Sequence, residues 1–148
     1  MNFELTEEQI MMKQAARDFA ERELLPDVIE RDTEARFPAR QVKMLAELGF
    51  FGITVDPKYG GSGMDAVSYV LALEEIAKID SATAVILAVH NSLVTYGIET
   101  YCNEEQKQKF LPELASGNKI GAFLLSEPEA GSDATSQKTT AEDKGDYY

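Results

Sequence analysis

Two stretches of this chain leave no side free for water. In YVLAL, residues 69–73, and AVILAV, residues 84–89, apolar residues occupy every position. Helices that are apolar all round have to be covered on every side. These two are therefore expected in the interior, or against another subunit or a ligand. Neither run approaches the roughly 20 consecutive apolar residues that a membrane-spanning helix needs, so no membrane insertion is expected.

The residues around these runs punctuate a helical array. Thr6-Glu7-Glu8-Gln9 has the form of a capping box and opens a helix whose apolar positions Ile10, Met11, Ala15, Phe19 and Leu24 predict one buried stripe up to Pro26. A further turn or two should run to about Glu34. Pro38 as first helical residue and Gly49 as the residue after the last bracket a short helix carrying Val42, Leu45 and Leu48. Met64 or Asp65 opens a third region through about Ile79, and Asp80-Ser81 caps a fourth to about Thr100. Asn103-Glu104-Glu105-Gln106 is a second capping box, followed by Lys107, Phe110 and Leu114 and closed by Gly117.

The pattern then changes. Residues 120–125 and 137–141 read as strands, and Asp143-Lys144-Gly145-Asp146 as a hairpin turn. The expected fold is mainly α: a helical domain of five to six helices over residues 1–119, then the first strands of a truncated β domain over 120–148. The strand after the hairpin would consist of Tyr147 and Tyr148 alone. That is too short for a ladder, and the chain reads as the N-terminal part of a longer protein.

Charge narrows the partners. Fourteen Lys and Arg among 26 Asp and Glu give a net charge of −12, with no basic patch for nucleic acid or an anionic membrane. The first nine residues lack the basic and apolar regions of an export signal. The single cysteine, Cys102, excludes an intrachain disulfide and fits a reducing compartment. The expected location is cytoplasmic.

Several apparent sites dissolve on physical grounds. Gly61-Ser62-Gly63-Met64-Asp65-Ala66 matches a dinucleotide-binding G-x-G-x-x-A, but residues 56–59 separate it from a run of only three strand-like residues, and Asp80 joins two helices. It reads as a glycine-rich turn. His90, the only histidine, sits in an apolar helix and reads as packed or capped. Cys102 has no basic neighbour to activate it, and the paired carboxylates at 74–75 and 104–105 should not converge on a metal. No metal site is expected.

Residues 126–133, SEPEAGSD, differ. Pro128 fixes one backbone angle, Gly131 permits positive φ, and Ser126, Ser132 and the amides supply donors. Such a loop can turn its N–H groups toward an anion or a heteroaromatic edge, or simply form an Asx or Ser turn.

The stretch Leu125-Ser126-Glu127-Pro128-Glu129-Ala130-Gly131-Ser132-Asp133 resembles the L-[ST]-E-P-x-A-G-S-D signature of acyl-CoA dehydrogenases. Arg36-Phe37-Pro38, Tyr59-Gly60-Gly61, Glu74-Glu75-Ile76-Ala77, His90-Asn91-Ser92-Leu93 and residues 105–112 are similar to the same family in the same order, closest to its short-chain, butyryl-CoA-type members. The resemblance implies a flavoenzyme that dehydrogenates acyl-CoA thioesters at the α,β positions and passes electrons to an electron-transfer flavoprotein, acting in fatty acid β-oxidation as a homotetramer. It implies FAD contacts from Phe123, Leu125 and Ser126 on the isoalloxazine side and from Gly131 and Ser132 near the pyrophosphate. Ser132 would also reach the acyl-CoA, and the helix around residues 89–96, with Thr95 and Gly97, would line the acyl pocket. The family's catalytic glutamate belongs to a C-terminal domain, so no catalytic residue is assigned here, and the fragment is expected to be inactive and free of FAD. Glu129 departs from the family's usual small or amide residue and is expected to face solvent. The alternatives are a same-fold flavoenzyme using oxygen or another acceptor, and a non-catalytic helical interaction module.

Overall fold

The computed structural model describes residues 4–147. Part of the export-signal reading, residues 1–3, and the final strand residue, Tyr148, lie outside them. Helix α1, Glu7–Phe19, starts from the expected box: the Gln9 amide donates to Thr6 Oγ1 at 3.2 Å and the Thr6 amide to Gln9 Oε1 at 3.0 Å. It continues as a π turn, Ala20–Leu24, and a 3₁₀ turn, Leu25–Asp27, into α2, Val28–Thr33. Pro26 thus tightens the path without ending it.

The buried stripe of α1 is displaced from the predicted one. Ala16, Phe19, Ala20 and Leu24 are buried, whereas Ile10, Met11 and Ala15 are exposed. The phase is set by a polar contact, because Gln9 turns inward and donates to Asp65 Oδ2 at 2.8 Å. Its neighbours Ile10 and Met11 then face out.

Helix α3, Ala39–Glu47, follows Pro38, which is its N-cap. It closes with Gly49 at φ +81°, and the Gly49 amide donates to Ala46 O and the Phe50 amide to Leu45 O. That pair of bonds is a Schellman motif and explains the glycine. The chain then buries Phe50, Phe51, Ile53, Val55 and Tyr59. Residues 61–64 fold back over this run, with Ser62, Gly63 and Met64 amides bonded to the carbonyls of Gly52, Val55 and Ile53 at 2.8, 2.9 and 2.8 Å. A Cβ on Gly61 would lie 2.1 Å from Val55 O. The glycines are there for close backbone approach, as a turn requires.

Helices α4, Ala66–Ala77, and α5, Ser81–Ala88, are capped by Asp65 and Asp80. A π segment, Val89–Thr95, joins α5 to α6, Tyr96–Tyr101, so one helical rod spans Ser81–Tyr101. By length and composition this 21-residue rod could cross a membrane, but His90, Asn91 and Thr95 on it are buried against protein. Helix α7, Glu104–Ala115, has the second capping box and ends at Gly117, φ +71°.

The core lies between α1, α3, α4, α5 and residues 50–53. A smaller cluster joins Val55 and Tyr59 to Leu111 and Ala115 of α7. The two fully apolar runs are covered on one side only: Val70 and Val85 remain more than half exposed. Together with Leu73, Ala77, Ala84 and Ala88, Val70 and Val85 line an open groove of about 330 Å³.

Charge ties the layers. Glu75, 3% exposed on α4, receives Arg17 Nε at 3.0 Å and Nη2 at 3.1 Å from α1, and Lys78 Nζ at 2.9 Å. Hydrogen bonding from Arg17, helped by Lys78 and opposed by burial, holds its carboxyl at about 2. Arg31, also buried, pairs with Asp27 and donates to Asp80 at 2.6 Å; Asp80 in turn accepts the Thr83 amide at 3.0 Å. One carboxylate thereby caps α5 and anchors α2.

Among the described residues no β-strand forms. Residues 120–125 and 137–141 are irregular, and the ladder contact is a single bridge between Glu127 and Ala130. The reason is that neither segment finds a backbone partner, and a strand exists only as half of a ladder. The turn at 143–146 does appear, with Gly145 at φ +94° and the Lys144 amide donating to Tyr147 O at 2.9 Å.

Gly61→Ala is expected to cost about 1–3 kcal/mol or more, because a backbone oxygen occupies the Cβ position. Gly97→Ala, with nothing within 4 Å, should be neutral or stabilising by up to about 1 kcal/mol; thermal unfolding compares the two. Glu75 takes a proton near 4.5 when unfolded and near 2 when folded. Its tie is therefore complete above 4.5 and lost as pH falls toward 2, and Glu75→Gln should flatten stability against pH across that window in denaturant titrations.

Candidate functional site: the loop at residues 126–133

The acidity of this loop is taken up by the residues that follow it. Residues 127–130 form a tight reversal in which Glu127 and Ala130 exchange both backbone bonds at 3.1 Å, and Ala130 is buried. The Glu127 carboxylate accepts the amides of Lys138 at 2.7 Å and Thr139 at 3.2 Å, and these bonds, the Lys138 amide foremost, hold it below the usual range. Asp133 caps the short 3₁₀ turn Ala134–Ser136, accepting from the hydroxyls of Ser136 and Thr135 at 2.5 Å. The Ser136 bond is the main cause of its lowered pKa. Glu129 pairs with Lys138 at the surface and faces solvent.

What remains free is the donor set. Ser126, Gly131 and Ser132 are exposed. Their amides and the two serine hydroxyls bond to nothing among the described residues. Gly131 does not use the left-handed backbone that its residue type permits. A Cβ there would meet no atom within 4 Å, so nothing inside the chain demands a glycine. Free amides, two hydroxyls and open space at a glycine suit a phosphate-bearing or flavin-type ligand approaching from outside.

The segment leading into the loop presents Phe123, Leu124 and Leu125, 50%, 98% and 42% exposed. Gln137 Nε2 donates to Leu125 O at 2.6 Å and closes the loop's base. The start of the segment is held by His90. That side chain is fully buried and uses both ring nitrogens, Nε2 to Leu114 O at 3.1 Å and Nδ1 to the Gly121 amide at 3.1 Å. A carbonyl only accepts and an amide only donates, so the ring is neutral with its proton on Nε2. Burial pushes its pKa below 6.5.

The remaining candidates stay apart from the loop. Thr95 is buried and donates to Asn91 O at 2.9 Å; Gly97 has open space around it. Tyr69, Asn91, Ser92 and Tyr96 border a second cleft of about 550 Å³. Asn91 Nδ2 donates to Phe50 O at 2.9 Å and Leu87 O at 3.0 Å. Cys102 is a free, half-buried thiol, and among the described residues no three His, Cys, Asp or Glu side chains converge on a metal position. Gln137 and His90 as supports of the loop went unnoticed in the sequence, since they act over 12 and 31 residues.

Residues 6–118 match the family described as acyl-CoA dehydrogenase, N-terminal domain. The chain belongs to this family. It is 46% identical to the short-chain specific acyl-CoA dehydrogenase of Clostridium acetobutylicum over 148 residues, which is all of this chain and 39% of that relative. Among solved structures it superposes on a chain from the electron transferring flavoprotein of Acidaminococcus fermentans with TM-score 0.95 at 46% identity, covering 99% of this chain and 38% of that one. Butyryl-CoA dehydrogenase from Megasphaera elsdenii gives 0.90 at 43% identity, with 94% and 37% covered. An acyl-CoA dehydrogenase complexed with FAD from Bacillus anthracis gives 0.84 at 34%, with 91% and 23% covered. The chain thus spans less than two fifths of the length of these relatives.

Glu127→Ala is expected to free the amides of Lys138 and Thr139 while leaving α1 to α7 intact. Hydrogen exchange should show at least tenfold faster exchange at those two amides and no change at Leu111 or Leu114.

Proposed function

We propose that this chain is the N-terminal part of a short-chain acyl-CoA dehydrogenase that forms the α,β double bond of acyl-CoA thioesters and passes electrons to an electron-transfer flavoprotein. The observation that carries the reading is the loop at 126–133, where the carboxylates are taken up by donors at residues 135–139 and two serines and a glycine stay available. Phe123, Leu125 and Ser126 would hold the isoalloxazine side of FAD, Gly131 and Ser132 its pyrophosphate side, and Ser132 would also meet the acyl-CoA. When bound, the flavin supplies the acceptor for the substrate's β-hydride. The α-proton goes to a carboxylate base contributed from outside these 148 residues. The half-exposed groove beside Val70 and Val85 and the helix around Thr95 supply apolar surface for a short acyl chain. A cytoplasmic homotetramer is the assembly that goes with this reading, and the printed names of the relatives support its substrate class and redox partner.

In an enzyme of the relatives' length, Gly131→Val should fold normally yet bind FAD at least tenfold more weakly, read from flavin absorbance after gel filtration. Ser132→Ala should raise KM for butyryl-CoA about tenfold, the loss of one hydrogen bond. The 148-residue chain by itself should show no butyryl-CoA-dependent dye reduction. Turnover by it would overturn the placement of the base, and unchanged FAD binding in Gly131→Val would overturn the loop's role.

A further inference from the structure

His90 does more than fill the core, because its two ring nitrogens join three separate parts of the chain. Nε2 reaches Leu114 O near the end of α7, Nδ1 receives the Gly121 amide, and the ring edge meets Phe51 with centroids 4.7 Å apart. Among the described residues, the Gly121 amide is the one backbone group in 120–126 hydrogen-bonded to the helical unit. Gly121 itself fits because it lacks a Cβ, which would lie 2.4 Å from Val94 Cγ1. Both contacts come from the π segment Val89–Thr95. We propose that His90 is a positioning residue for the flavin-binding loop: its unprotonated Nδ1 sets where Gly121 lies and so where Phe123, Leu125 and Ser126 are presented.

This rests on the reading of that loop as a flavin site. It adds a dependence on proton concentration through a side chain that lies outside the loop. A second proton on the ring would sit on Nδ1, facing the Gly121 N–H donor, and the bond could not survive. Burial acts on the ring first, opposed by the backbone of Leu114 and Phe51. No Asp, Glu, Lys or Arg lies on residues 81–98, and the nearest on the other elements, Glu113 on α7 and Lys119 before Gly121, are exposed. Because burial lowers the folded ring's pKa below the ordinary 6.5, the tie is complete above 6.5 and is lost only as pH falls through the folded ring's own, lower pKa.

Three forms test this: wild type, His90→Gln and His90→Phe. Glutamine places a donor and an acceptor about as far apart as Nε2 and Nδ1 and does not titrate, whereas phenylalanine keeps the packing and has neither. In the 148-residue chain, long-range ¹H–¹⁵N spectra should show a ring protonated on Nε2. The protection factor of the Gly121 amide should fall at least tenfold in wild type as pH drops through the folded ring's pKa, which lies below 6.5, stay constant in His90→Gln and be absent throughout in His90→Phe. In the full-length enzyme the flavin absorbance and FAD affinity should follow the same three patterns. A ring protonated on Nδ1, or equal Gly121 protection in all three forms, overturns the tie. Should His90→Phe fail to fold, wild type against His90→Gln across pH decides alone. A tie that behaves as stated while FAD affinity is constant overturns the positioning role and leaves the flavin site standing. A full-length enzyme that never binds FAD overturns the flavin reading, and the positioning role with it, whatever Gly121 shows.

Discussion

A helix without a charged side chain over eighteen residues depends on what its few polar groups can bond. In Ser81–Tyr101, Thr83, His90, Asn91 and Thr95 face inward, and the polar ties of the rod go to different neighbours. Asp80 ties its start to Arg31, Asn91 its middle to the carbonyl of Phe50, and His90 to α7 and residue 121. Each bond satisfies a group whose burial alone would cost on the order of 1–3 kcal/mol. Together they give an otherwise featureless apolar rod one orientation, so α4, α7 and the loop at 50–64 have fixed positions to pack against.

The same rod connects the core to the segment that leads into the loop at 126–133. Apolar packing is non-directional and could hold the helices while leaving the segment after Gly117 free. The directional contacts at Gly121, Leu125 and Glu127 determine where that segment goes. Glu127 and Asp133 of SEPEAGSD belong to this scaffolding: they shape the loop through backbone amides and hydroxyls, while Glu129 pairs with Lys138 at the surface, and a ligand would meet the serines and Gly131.

Short-range chemistry was legible. Both capping boxes, the Asp65 and Asp80 caps and the glycine closures at 49 and 117 rest on residues within a few positions of each other, and the structure has them all. Long-range contacts were not. The face of α1 was misphased because apolar periodicity fitted Ile10 and Met11 as well as Met12 and Ala16, and the choice was made by Asp65, 56 residues from Gln9. Residues 120–125 have strand composition, but composition supplies no pairing partner. His90 read correctly as packed, yet its partners are 24 and 31 residues away.

The wide turn at Val89–Thr95 acts as a phase shifter. A π segment holds roughly one residue more than an α turn of the same rise, and one residue is worth about 100° of rotation around the axis. The two ends of the rod therefore obey different facing rules. Leu87 and Ala84 follow the core beside α4, while Thr95 turns inward and Tyr96 outward on a reset frame. Removing a single residue from this stretch would swing everything from Tyr96 onward by more than a quarter of a circle, and α7 with it. The extra residue is what lets one uninterrupted helix face the core beside α4 at one end and α7 and residue 121 at the other.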